Sequence, residues 1–229
     1  MNELVTRAAA IAELLHADHR KSQEEEFVDA VVGCCSDLIE SGEPRAALEL
    51  IDKVEIVGSP PGDLRIHLVV CRIRALRTLG DFRTALAIAE RQLEESQASE
   101  MLFAELRVVA ILAGGCLWQL NRVDEALGRL LKIRAELIGR PDSVQLASCM
   151  HELASAELFR GRLDQARTYA YETIVSARRT GSALLEAAGL MNLARIDKFL
   201  CRWASASDSL HQSLGLSEAR WSTLLRNHR

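Results

Sequence analysis

The residues of this chain that could do chemistry are its histidines, cysteines and carboxylates, and their spacing argues against a reaction. His151-Glu152 carries two residue types of a zinc deaminase site, but the PCxxC run that such a site also needs is absent. His16 and His19 share a helix face with no third ligand near them in sequence, so a solvated helix end accounts for them. Of the 6 cysteines, Cys34, Cys35, Cys71, Cys116 and Cys149 fall in apolar helical stretches, where a thiol acts as a small filler. Cys34 and Cys35 point about 100° apart on a helix, too divergent to share a metal. A long helical chain without a secretion signal is also a poor candidate for a disulfide framework. GxxxxGK[ST], GxGxxG and GxSxG are all missing, so the usual phosphate cradles and the nucleophile elbow are absent. Carboxylates abound, but nothing in the sequence separates a catalytic pair from surface charge. The expectation is a non-catalytic protein with no catalytic residue, no metal site and no cofactor.

Charge narrows the partners. The net charge is −4 and the pI about 5.9, which marks neither nucleic acid nor an anionic membrane as the main partner. No apolar run approaches the roughly 20 residues that span a bilayer. Glu3 and Arg7 interrupt the N-terminus, which reads as an amphipathic helix and not as a signal peptide. A cytoplasmic location is expected.

The elements that must position any binding residue are helices. Five segments align: SGEPRAALEL (41–50), LGDFRTALAI (79–88), LNRVDEALGR (120–129), RGRLDQARTY (160–169) and LCRWASASDS (200–209). Each ends one helix, turns briefly, and opens a second helix with a small residue at one place. Those residues are Ala47, Ala85, Ala126, Ala166 and Ala206, at spacings of 38, 41, 40 and 40. A fixed period of this size means stacked supersecondary units. Hydrophobic residues reach 48% while aromatics are only 4%, a core of Ala and Leu that suits close helix packing.

The pattern predicts an N-terminal helix over 1–21 and five pairs over 22–214. The pairs fall at about 22–41 with 44–55, 63–79 with 82–96, 99–120 with 123–138, 142–160 with 163–179, and 183–200 with 203–214. Short turns make the partners antiparallel. Gly42, Gly80, Asn121 and Gly161 suit the left-handed conformation that ends a helix, whereas the last pair has Cys201. Pro44 and Pro141 stand at helix starts, and Pro60-Pro61 precede the second unit. A last helix over 215–229 is either a cap or the start of a further repeat in a longer protein. Ser222-Thr223-Leu224-Leu225 repeats Ser182-Ala183-Leu184-Leu185 forty residues on.

A small residue is needed where two helices cross close to their connection. The first helices carry a matching position at Cys35, Ile73, Gly114, Ala154 and Ala194, from which Ile73 departs in size. Ala113-Gly114, Leu153-Ala154 and Leu193-Ala194, with Phe82, Val123, Leu163 and Trp203 ahead of the second-helix Ala, resemble the tetratricopeptide repeat over roughly 27–214. The period of about 40 is similar to that of long repeats in bacterial signal-transduction regulators. The resemblance implies an all-α right-handed solenoid that binds a protein or peptide, in a sensor or docking role. It also implies that first helices line a concave groove. Projected onto that groove are His67, Arg74 and Arg77, then Trp118 and Gln119, His151 and Phe159, and Arg195, Lys198 and Phe199. Asn192 stands where long-repeat members place an Asn that bonds the ligand backbone. Cations with interspersed aromatics suit an extended peptide carrying carboxylates. Packing between repeats accounts equally for the aromatics. A terminal repeat left uncovered also predicts a homodimer through the C-terminal end. The DNA-binding alternative reads 213–229 as a helix-turn-helix, with LGLS at the turn and Trp221 and Leu225 in its core.

Overall fold

The computed structural model describes residues 24–57, 62–96, 103–139 and 143–227. The helix expected over 1–21, His16, His19, Pro60, Pro61 and Pro141 lie outside the described residues, as do the side chains of Trp221 and Leu225. Among the described residues all regular structure is helical: α1 (Glu24–Glu40), α2 (Pro44–Val57), α3 (Gly62–Thr78), α4 (Phe82–Glu95), α5 (Phe103–Gln119), α6 (Val123–Leu137), α7 (Val144–Phe159), α8 (Leu163–Thr180), α9 (Ala183–Phe199) and α10 (Trp203–Asn227).

The turns explain why the chain folds back after each first helix. Gly42, Gly80, Asn121, Gly161 and Cys201 all take positive φ, from 56° at Cys201 to 84° at Gly42. Around each, two amides reach back to close the helix end. Gly42 N–H donates to the Ile39 carbonyl at 3.2 Å and Glu43 N–H to Leu38 at 2.8 Å. The same pair recurs at Gly80, Asn121, Gly161 and Cys201. This is the Schellman arrangement, which satisfies carbonyls a helix end would leave bare. Cys201 adopts it despite its Cβ, at a cost of about 1–2 kcal/mol. The short 2.8 Å bond from Arg202 N–H to the Asp197 carbonyl helps hold it there.

The second helix then crosses the first at the small residue. Ala47, Ala85, Ala126 and Ala166 are fully buried and Ala206 nearly so. Their partners Cys35, Ile73 and Ala154 are fully buried, and Ala194 and Gly114 are buried too. Ile73 is therefore absorbed into the core in spite of its size.

The chain divides into two compact units, Met1–Cys116 and Leu117–Arg229. In the first unit, α1 packs on α2 and α3 on α4, with α3 also against α1 and α2. Val31, Cys34, Cys35, Leu38, Leu50, Ile51, Leu68 and Cys71 form its core. The Cys35 thiol is hydrogen-bonded to Cys71 and buried, and both effects hold it protonated well above the ordinary thiol range. In the second unit α6 packs on α7, α7 on α8, α8 on α9 and α9 on α10, and α7 also touches α9. Cys149 of α7 lies on α6, its Sγ 3.3 Å from the Leu130 carbonyl. Burial pushes that thiol up to about 12, with the neighbouring Glu152 charge adding to the effect. The five cysteines placed in helices are all buried, and only Cys201 among the six is exposed.

The C-terminal helix departs from expectation. α10 runs unbroken from Trp203 to Asn227, where the sequence pattern expects a second helix after 214. No proline and no left-handed residue interrupts it, since Gly215 is absent from the positive-φ positions. The turn that a helix-turn-helix needs over 214–217 is thus helical.

Candidate functional site

The first helices of the second unit carry the residues that can meet a ligand. On α7 the spacing 144, 148, 151, 155, 159 places Val144, Ser148, His151, Ser155 and Phe159 on one face. Forty residues on, α9 repeats it with Leu184, Ala188, Met191, Arg195 and Phe199. Because α7 and α9 touch, the two stripes lie side by side.

Asn192 joins them. Its side chain is 2% exposed. Its Nδ2 lies 3.2 Å from His151 Nδ1, donates to Ser155 Oγ at 3.1 Å, and reaches the His151 carbonyl at 3.4 Å. An amide nitrogen donates, so in this arrangement His151 Nδ1 is the acceptor. Ser155 Oγ donates to the His151 carbonyl at 3.0 Å, so its hydroxyl is committed to the backbone and not to the ring. The cluster is thus a fixed set of hydrogen-bonding groups and not a nucleophile–base pair.

The near end of α7 is anchored on α5. Trp118 is 7% exposed and donates its indole N–H to Glu152 Oε2 at 2.9 Å. Its ring meets Phe159 with centroids 6.0 Å apart and planes at 53°, a favourable tilted contact. Trp118 therefore belongs to the packing beneath the face. Phe159, 53% exposed, is the part of the pair that reaches solvent. Gln119 is exposed at the end of α5.

On α9, Arg195 and Lys198 are exposed, and Phe199 is 66% exposed. Their neighbour Asp197 is buried and spent elsewhere. It accepts from Arg167 Nη2 at 2.7 Å and from Ser205 Oγ at 2.6 Å, tying α9 to α8 and α10. The acid at this point thus turns inward while the two cations face solvent.

The structure brings His151, Phe159, Asn192, Arg195, Lys198 and Phe199 onto neighbouring helices of one unit. His67, Arg74 and Arg77 belong to the first unit and are half-buried. There Arg74 Nη2 stands 3.5 Å from Glu40 Oε1, so its charge is already partnered by α1. Sequence reasoning weighed Glu152 only as part of a zinc motif and did not single out Ser155; in the structure they bond Trp118 and Asn192. The available signal was a run of polar residues, HELAS, inside an otherwise apolar helix. Among the described residues, no group of three or more His, Cys, Asp and Glu could hold a metal, and no helix is long and apolar enough to cross a membrane.

Antiparallel helix pairs closed by left-handed turns and crossing at small residues define a tetratricopeptide-like helical-repeat protein. The tetratricopeptide repeat family matches residues 67–91, over α3 and α4, and 147–168, over α7 and the start of α8. No curated protein sequence matches the chain. Among solved structures, BtubC (BKLC) from P. vanneervenii is similar over 96% of this chain and 93% of its own, at 14% identity and a TM-score of 0.67. Two structures of kinesin light chain TPR-like repeats from Podosopora anserina are also similar. One covers 89% of this chain and 100% of its own at 15% identity and TM-score 0.57, the other 96% and 99% at 16% and 0.53. Repeats of this type generally serve as non-catalytic scaffolds for protein–protein interaction.

Proposed function

We propose that this chain is a non-catalytic scaffold that captures an extended, acidic segment of a partner protein on the α7–α9 face. The supporting observation is that a fixed polar cluster and exposed cations stand on the same pair of helices. Asn192 bonds His151 Nδ1 and Ser155 Oγ, which ties α9 to α7. Beside it Arg195 and Lys198 are exposed, and Phe159 and Phe199 offer apolar surface. An extended peptide alternates its side chains with period two, so carboxylates can meet the cations while apolar residues meet the rings. Charge-assisted hydrogen bonds in such a site contribute about 1.5–3 kcal/mol each. The role is that of a docking or sensor region in a bacterial regulatory protein, as the long-period resemblance implies. A cytoplasmic setting suits five buried cysteines that are not in disulfides. Self-association would use a different surface, the far side of α10.

A labelled peptide of alternating Asp and Leu tests the reading by fluorescence anisotropy. Binding should weaken with salt, and Arg195→Glu with Lys198→Glu should lower affinity more than about tenfold. The circular-dichroism melt should stay unchanged. Equal binding by the double variant, or by a Lys–Leu peptide, would contradict an acidic ligand on this face.

A further inference from the structure

The α7–α9 face changes chemistry along its length. α7 and α9 each run antiparallel to α8, so they are parallel to one another. The Asn192–His151 bond sets equivalent residues of the two helices side by side. At the N-terminal end stand Val144 and Leu184, 52% and 42% exposed, and Met191 follows at 49%. The cation beside this end is already neutralised, since Arg178 Nε lies 2.7 Å from Glu186 Oε1. At the C-terminal end Arg195 and Lys198 are exposed and have no ion-pair partner among the described residues. Between the two ends Ser148 and Ala188 are small and half-buried. One end is therefore aliphatic without net charge, and the other is cationic.

We infer that the segment captured here is bipartite, with an aliphatic side chain on Val144 and Leu184 and a carboxylate on Arg195 and Lys198. The inference rests on the docking role of this face and adds a spacing to it. Leu184 and Arg195 stand eleven positions apart on α9, which is about 16 Å at a rise of ~1.5 Å per residue. Lys198 lies three positions further on. An extended chain lying along the furrow between parallel helices advances about 3.3 Å per residue. About five or six residues of the ligand therefore separate its two anchors. A carboxylate over Val144 and Leu184 would lose water without gaining a cation, whereas an aliphatic side chain there covers apolar surface. Phe159 and Phe199 give the cationic end apolar walls of its own. What the far end contributes is the distance.

Fluorescence anisotropy on the full chain tests this. The probes are labelled peptides with two leucines at one end and two aspartates at the other. Gly–Ser spacers of one, four or nine residues join the ends, and each peptide is made in both chain directions. In one direction the four-residue spacer should bind about tenfold more tightly than the one-residue spacer, which cannot reach both ends. The nine-residue spacer should lose only a few-fold, because a longer linker still spans the distance. Val144→Ser with Leu184→Ser should lower the four-residue peptide to the affinity of an aspartate-only peptide. Affinity that ignores spacer length in both directions, yet falls with Arg195→Glu and Lys198→Glu, overturns the spacing and leaves the docking face standing. Binding indifferent to that charge reversal, or no binding of any probe, removes the docking face and the spacing with it.

Discussion

The α7–α9 face and the far face of α10 belong to one unit and follow one register, yet they present opposite chemistry. The first is polar at its centre, with Asn192, His151 and Ser155 bonded to one another and two cations beside them. The second offers Trp203, Leu210 and Leu214 with no charge among them. The difference follows from position in the helix pair. First helices touch each other only along part of their surface and leave an exposed stripe, whereas a second helix is normally covered by the next first helix. On α10 the residues at those positions, Leu210 and Leu214, are exposed. One face is suited to an extended chain read through hydrogen bonds and charge, the other to a helix read through shape.

Asp197 lies between the two faces, and removing it should have the largest effect on stability. It binds Arg167 of α8 and Ser205 of α10. Asp197→Ala should cost about 1.5–3 kcal/mol in chemical denaturation, because it removes both bonds and leaves a half-buried guanidinium without its acid. Glu157 is the equivalent residue one repeat earlier, and its buried Oε2 has no hydrogen-bond partner. Glu157→Ala should therefore cost at least about 1 kcal/mol less. Equal losses would mean that the Asp197 network does not tie the faces together.

The covered face of α8 and the exposed helix α10 can be compared through two glycines. At Gly189→Ala the new Cβ meets a backbone carbonyl oxygen and the Ile174 side chain, so overpacking should cost about 1–3 kcal/mol. At Gly215→Ala in α10 nothing lies within 4 Å of the new Cβ. That change should stabilise the helix by about 0.5–1 kcal/mol, because alanine loses less backbone freedom than glycine. Thermal melts of the two variants should move in opposite directions. A shared direction would break the comparison.

Much of the fold is legible in the sequence because its determinants are local. Gly42, Gly80, Asn121 and Gly161 mark the turns, and the small residues 38 to 41 apart mark the crossings. Cys201 carries no such mark and still takes the left-handed conformation, closed by the same two backbone bonds as the other turns. The end of the chain misleads for a related reason. The echo of Ser182-Ala183-Leu184-Leu185 at Ser222 implies a new helix, but no stop signal precedes it and α10 simply continues. The site is legible only in outline. Asn192, Arg195 and Lys198 could be placed by register, but partner choice depends on how helices cross. Trp118 finds Glu152 34 residues away and Asn192 finds His151 41 residues away, and no local pattern announces either bond.

The most direct measurement is a nuclear magnetic resonance titration of the isotope-labelled chain with the Asp–Leu peptide. The side-chain amide of Asn192 is a built-in reporter, since it bonds His151 Nδ1 directly. The account predicts that its signals shift together with those of His151, Arg195 and Phe199, while Leu210 and Leu214 stay unchanged. Shifts confined to Leu210 and Leu214, with Asn192 silent, would contradict it.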